Sequence, residues 1–224
     1  MFKRYSYDLT STGPVWPGNP PAALVEAHES MEKGDNANTF KVQLFTHSGT
    51  HIDVPMHFNR YGKNAIDLGV EQFIFHKPLV LDIPKQDEER ILPEDLIPHK
   101  KAIGSCDLLC INTGWSALRQ DQPGRYAKQG PYVSNDAVQY LLAEFPSVRA
   151  IGLDFISLGS PLHIPETIQA HTTATGNNRA EGRFILIIED MILDEQLNKA
   201  KRVFAWPLFI EGSDAGPVTI VAEF

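Results

Sequence analysis

Short apolar runs recur along the chain, each closed by Gly, Pro, Asn or Asp, and they predict strands. The clearest are "KVQLF", "KPLVLDI", "DLLCINTG", "VRAIGLDF", "RFILIIED", "RVFAWPLFI" and "PVTIVAEF", rich in the branched and aromatic side chains that suit a pleated surface. Several are apolar almost throughout, the pattern of strands covered on both faces. A helical period with clear ends appears in "SNDAVQYLLAEF". Ser134 is placed to cap it, Val138, Leu141 and Leu142 form its apolar stripe, and Pro146 stops it. Shorter helical turns are predicted in "LPEDLIPH" and in "PETIQAH", where Pro165 takes a favoured first position. No internal repeat or domain-separating linker interrupts the series. Residues 1–224 therefore read as one domain of α+β or layered α/β class, predominantly β with a few helices.

Composition narrows the function. The 224 residues are 42% hydrophobic, and a chain of that size buries roughly 70–75% of its unfolded surface, enough to fold without a disulfide or structural metal. Net charge is −8 with mixed signs and no Lys/Arg block, which argues against nucleic acid or an anionic membrane as partner. "MFKRYSYDLT" lacks the apolar core of a signal peptide, and no apolar stretch approaches a membrane span. If "CDLLCI" is a strand, Cys106 and Cys110 share a face roughly 13 Å apart by strand rise, too far to bridge. A cytoplasmic, reduced protein with buried thiols is expected.

One segment carries chemistry. "FTHSGTHIDVPMHF" places His47, His51, Asp53 and His57 within eleven positions, interrupted by Gly49 and Pro55. His47 and His51 have the spacing of a helical zinc-protease motif, yet Ser48 stands where that motif needs glutamate, and Gly49, Ile52, Val54 and Pro55 oppose a helix. As extended chain the four groups face one way, but His47 to His57 would then span roughly 33 Å. Gly49 allows a sharp turn and Pro55 fixes a second local direction, turning a line of ligands into a cluster. Two imidazoles and a carboxylate suit Zn²⁺, and also Mn²⁺ or Fe²⁺. Three local ligands leave a coordination position for water, whose pKa a dication lowers to roughly 7. His57, the most distant of the four, is then free to serve as general acid or base.

These residues, His47, Gly49, Thr50, His51, Asp53, Pro55 and His57, complete the pattern H-x-G-T-H-x-D-x-P-x-H. It resembles the signature of the cyclase-like metal-dependent hydrolases, the family that includes bacterial arylformamidase. The likeness continues in "YDLTSTGPVWPGNPP", "INTGW", "AIGLDFISLG", "QAH" and "IIEDMIL". The resemblance implies a compact swivelling β/β/α fold, and it implicates Trp16 in lining the substrate site. It adds His171 and Glu189 as metal ligands to His47, His51 and Asp53, in a site of one or two ions, with Zn²⁺ first and Mn²⁺ as the alternative. In the two-metal form His171 holds the second ion, and Glu189 with Asp53 bridges the pair. Assembly as homodimers or homotetramers around a small-molecule substrate is further implied. Two departures bear on the substrate more than on the metal. "TTATGNNRAEGRF" lengthens the interval from His171 to Glu189, and Thr172 stands where arylformamidase has a second histidine. His163 competes with His171 as ligand if the added residues shift the register.

Trp115 and Trp206 are expected in the core or an interface, Asp154 in a cap or turn, and "GSDAGP" in a turn between strands. No nucleophile motif supports covalent catalysis. The expected activity is metal-dependent hydrolysis of a C–N bond in an amide, an aryl formamide such as N-formylkynurenine, or a cyclic imide, with attack by hydroxide and proton transfer through His57. The alternatives are a lactone or isatin-like ring, cyclisation or dehydration at the same centre, and a non-catalytic, metal-stabilised binding protein.

Overall fold

The computed structural model describes residues 1–224 and has three layers. At its centre is a six-stranded sheet in the order Ala215–Pro217, His51–Asp53, Leu186–Glu189, Ala150–Leu153, Leu108–Asn112, Pro78–Asp82. Its last four strands run parallel, while His51–Asp53 pairs antiparallel with both of its neighbours.

Alternate side chains of the central strands enter two separate cores, which explains their nearly continuous apolar sequence. Leu109, Ile111, Ile151, Leu153 and Ile187 point into one core, and Leu108, Cys110, Ala150, Leu186 and Ile188 into the other. The first core is covered by the helices Asn135–Glu144 and Ile164–Ala174. The second is covered by an antiparallel sheet in the order Phe2–Arg4, Val221–Glu223, Arg202–Phe204, Ile74–Phe75. The result is a mixed α/β architecture, rich in strands with few helices, layered β/β/α.

Several local expectations are met and others corrected. Ser134 Oγ accepts from Ala137 N at 3.1 Å and caps the first helix. The second helix begins one residue before Pro165. Cys106 and Cys110 are free and buried but do not share a face. Cys106 precedes the strand Leu108–Asn112 and lies in the helical core, whereas Cys110 lies in the opposite one. "RVFAWPLFI" is a strand only over Arg202–Phe204, and Trp206 is exposed, which leaves an interface rather than the core as its expected setting. Trp115 is buried. Asp154 ties down the turn after its strand by accepting from Thr113 N and Thr113 Oγ1. The strand expected in "KVQLF" is Thr39–Leu44, and it pairs with an unpredicted strand, Ala23–Glu29, in a hairpin that stands away from both cores with Leu24, Val25, Phe40 and Val42 exposed. No helix is long and apolar enough to cross a membrane.

Candidate functional site

The reversal required of "FTHSGTHIDVPMHF" is present. Gly49 adopts φ +59°, a left-handed backbone that favours glycine. Pro55 then opens a single 3-10 turn, Pro55–His57. Between these bends lies the strand His51–Asp53, with Ile52 in the core beneath the outer sheet and His51 and Asp53 on the helical face. Register supplies the next ligand type, because Glu189 pairs directly with His51. His171 arrives from the buried side of the helix Ile164–Ala174.

The donor atoms converge. His47 Nδ1 lies 3.0 Å from Asp53 Oδ1, and His51 Nε2 lies 3.5 Å from the same oxygen and 3.2 Å from Glu189 Oε2. His57 Nε2 is 3.8 Å from Asp53 Oδ2, and His171 Nε2 is 3.6 Å from Glu189 Oε1. Two ligands about 2.1 Å from one tetrahedral cation stand about 3.4 Å apart, so these separations match the edges of a coordination polyhedron. Two triads form, His47–Asp53–His57 and His51–Asp53–Glu189, with Asp53 common to both.

Each imidazole is also held from outside. His51 Nδ1–H donates to Gly49 O and His171 Nδ1–H to Thr167 O, both at 2.8 Å. His47 Nε2–H and His57 Nδ1–H donate to Asp214 Oδ2 at 2.8 and 2.9 Å. The second ring nitrogen of every histidine is thereby left as a lone pair directed inward, the tautomer a metal ligand requires. Inside the cluster, His51 Nε2 and both carboxylate oxygens of Asp53 are buried without a hydrogen-bond partner. His57 Nε2, which faces Asp53 Oδ2, stands at 3.8 Å, beyond hydrogen-bonding range, and the shorter contacts of Asp53 Oδ1 and His51 Nε2 form no hydrogen bond. Orphaned buried acceptors are costly, and a shared divalent cation would satisfy all three. The residues therefore fit such an ion.

The electrostatics agree. Burial disfavours the carboxylate of Glu189, but His171 and His51 outweigh it and hold the group well below the usual range. Asp53 is lowered in the same way by His57 and His47 against its burial. Asp214 is lowered by its hydrogen bonds from His47 and His57, again against burial. Burial opposes charge on His47, yet Asp53 and Asp214 push it up to about 10. His51 and His171 are raised against burial, mainly by Glu189. The cluster thus attracts positive charge, which protons or a cation can supply. Glu189 is fixed besides by Ser157 Oγ and Leu158 N, which donate to its Oε1 at 3.0 and 2.6 Å.

Above the cluster opens a cavity of about 310 Å³. Trp16, Phe45, Phe58, Ile156, Ile164 and Ile168 form its apolar walls, with His47, His51, His57, His171 and Glu189 also lining it. The structure thus brings together all seven residues singled out in the sequence, His47, His51, Asp53, His57, His171, Glu189 and Trp16. His163 is not among them. It stacks on Tyr132 and faces Glu88 at 3.4 Å. The added residues after His171 leave the register intact because they close into a loop, with Asn59 Nδ2 donating to Thr175 O and Arg179 O.

Asp214 was missed. "GSDAGP" reads locally as a turn, but Val54 N donates to Asp214 O and the following strand pairs with His51–Asp53. That pairing carries the carboxylate to His47 and His57. The only local signal was an acidic residue beside a predicted strand, which is too common to single out.

What these features define is a β/β/α protein with an imidazole–carboxylate cluster on the floor of an apolar pocket. Residues 5–160 match the family described as "Putative cyclase", and the chain belongs to that family. A kynurenine formamidase of Bacillus thuringiensis (strain Al Hakam) is 27% identical over 216 residues, covering 96% of this chain and 94% of that protein. Another, from Geobacillus thermodenitrificans, is 28% identical over 209 residues, covering 92% and 88%. Isatin hydrolase A from Labrenzia aggregata, solved with benzyl benzoate, superposes with a TM-score of 0.81 at 18% identity over 99% of this chain and 93% of that one. This last likeness establishes the fold.

Proposed function

We propose that the protein is a metal-dependent hydrolase that opens a C–N bond in an amide, an aryl formamide or a cyclic imide. The observation that carries this reading is the convergence of inward lone pairs from four histidines on two buried carboxylates at the floor of an apolar pocket. His47, His51, Asp53, His171 and Glu189 would hold one or two divalent ions, Zn²⁺ by the imidazole–carboxylate set and Mn²⁺ as the alternative. When bound, such an ion polarises a carbonyl and lowers the pKa of water to about 7.

The chain's own residues supply the rest. Trp16, Phe45 and Phe58 offer faces for a flat aryl group. His57, braced at Nδ1 by Asp214 and bordering the cavity through its ring, delivers a proton to the leaving nitrogen. The relatives named kynurenine formamidase support the formamide reading. A lactone or isatin-like ring is the second reading, favoured by the neighbour that is an isatin hydrolase. The open cavity directly above the cluster speaks for catalysis over a purely structural ion. The exposed apolar hairpin supports self-association as a dimer or tetramer, and the free thiols support a cytoplasmic setting.

Protein loaded with Zn²⁺ or Mn²⁺ should hydrolyse at least one member of a panel of aryl formamides, cyclic imides and lactones, and chelation should abolish turnover. A loaded protein inert toward the entire panel would refute the hydrolase reading.

A further inference from the structure

Behind the cluster lies a second buried group of charges that the chemistry above does not use. Asp190 directly follows Glu189 and is wholly buried. Arg119 Nε and Nη2 donate to its two carboxylate oxygens at 2.7 and 2.6 Å, and Tyr126 Oη donates to Oδ1 at 2.6 Å. The guanidinium in turn lies over the Tyr7 ring, 3.8 Å from its centre. A planar fork that meets both oxygens fixes the orientation of the carboxylate as a single contact would not.

The backbone of Asp190 is constrained as well. It turns left-handed, with φ +56°, a conformation uncommon outside glycine that Asp tolerates better than most residues. His51 and Glu189 form the last ladder pair of their two strands, so in the same register Thr50 would face Asp190 next. There a side chain replaces the ladder: Thr50 Oγ1 donates to Asp190 O and accepts from Tyr7 N. Asp190 N donates to Phe155 O, at the root of the loop whose Ser157 and Leu158 hold Glu189 Oε1. One residue thus joins both ligand strands to the loop that aims the glutamate, and Arg119 grips that residue. A buried ion pair adds little net stability over apolar side chains of similar volume. What its fixed geometry supplies is orientation, and outer groups that orient ligands tune metal affinity. We propose that Arg119 is a positioning residue of the metal centre: acting through Asp190, it sets where Glu189 meets His51 and His171, and so the affinity of the cluster for its divalent ion. Arg119 itself hydrogen-bonds Asp190 and does not line the cavity. The inference rests on the metal-dependent reading above and deepens it.

The test removes both charges together, so that neither is left buried alone. Asp190→Asn keeps an acceptor for Tyr126 and tolerates the left-handed backbone, and Arg119→Met keeps the apolar stem. Stripped of metal, the double variant should melt within about 3 °C of the parent. Its Zn²⁺ affinity, read by competition with a chromophoric chelator, should nevertheless fall about tenfold, and the visible absorption bands of the Co²⁺-loaded protein should shift. Arg119→Lys, which keeps the charge but loses the fork, should cost about threefold in affinity. A control is the pair outside the cluster in which Lys85 Nζ donates to both oxygens of Asp95 at 2.9 and 2.8 Å. Lys85→Met combined with Asp95→Asn should change neither affinity nor bands. Parent-like affinity with unshifted bands in the folded double variant, or an equal loss in the control, would overturn the proposal. If the double variant does not fold, Arg119→Lys decides on the same readouts. A parent protein that binds neither ion would refute the metal-centre reading itself, and this inference with it.

Discussion

Replacing Asp214 by asparagine keeps an oxygen near His47 Nε2 and His57 Nδ1 and removes only the charge. Both hydrogen bonds are short, 2.8 and 2.9 Å, and both end on Oδ2. A hydrogen bond to a charged group contributes about 1 kcal/mol more than a neutral one, so two such bonds give about 2 kcal/mol. The Asp214 side chain is 35% accessible, and solvent screening reduces the sum to about 1.4 kcal/mol. The loss falls on metal binding, because His47 presents Nδ1 to Asp53 only while Nε2 carries its proton. Asp214→Asn should therefore weaken metal affinity about tenfold, and Asp214→Ala, which also frees the rings to reorient, about a hundredfold. Competition with a chromophoric chelator measures this without reference to activity, and circular dichroism confirms the fold. If Asp214→Ala binds metal within about twofold of the parent, the outer carboxylate does not set the tautomer and the reasoning is wrong.

Other perturbations separate the remaining roles. His51→Ala should lose metal, whereas His57→Ala should retain it and lose turnover; metal loss in His57→Ala would instead make His57 a ligand, as its triad with His47 and Asp53 allows. The pH dependence of the ion-free protein follows from the shifts. Asp53, Asp214 and Glu189 are lowered, so their contribution is present above about pH 4–5 and lost as acid is added. His47 is raised, so its contribution is complete below about pH 6.5 and lost as pH rises toward about 10. Tm of chelator-treated protein should thus peak at about pH 5–6.5, and metal should raise it most on the alkaline side, where no proton must be displaced; a flat profile would contradict the coupling. Gly182→Ala would drive a methyl group into the carbonyl oxygen of Gly176. Differential scanning calorimetry should show a loss of about 1–3 kcal/mol, at about 2–4 °C per kcal/mol.

Legibility in the sequence followed locality. The central strands could be read because each is apolar on both faces, and the two cores of the structure account for that. The bends at Gly49 and Pro55 could be read because each depends on one residue's backbone preference. His171 and Glu189 came from family likeness rather than from periodicity. The strand Ala23–Glu29 escaped notice, unlike its partner in "KVQLF", because "ALVEAHE" buries only Ala23 and carries no core signal. Cys106 was misplaced because the strand begins two residues after it. Asp214 depends on pairing between segments more than 150 residues apart, which no local pattern encodes.

The register that sets Glu189 opposite His51 also has a temporal consequence. The first imidazoles leave the ribosome early, but the glutamate is synthesised 138 residues after the histidine it faces. Asp214 follows later still, 25 residues after Glu189. A growing chain therefore exposes a partial set of ligands long before the opposing strands can close on them. The full set of ligands therefore exists only once the later strands have paired, and an ion captured sooner would be held by the earlier groups alone and could still exchange.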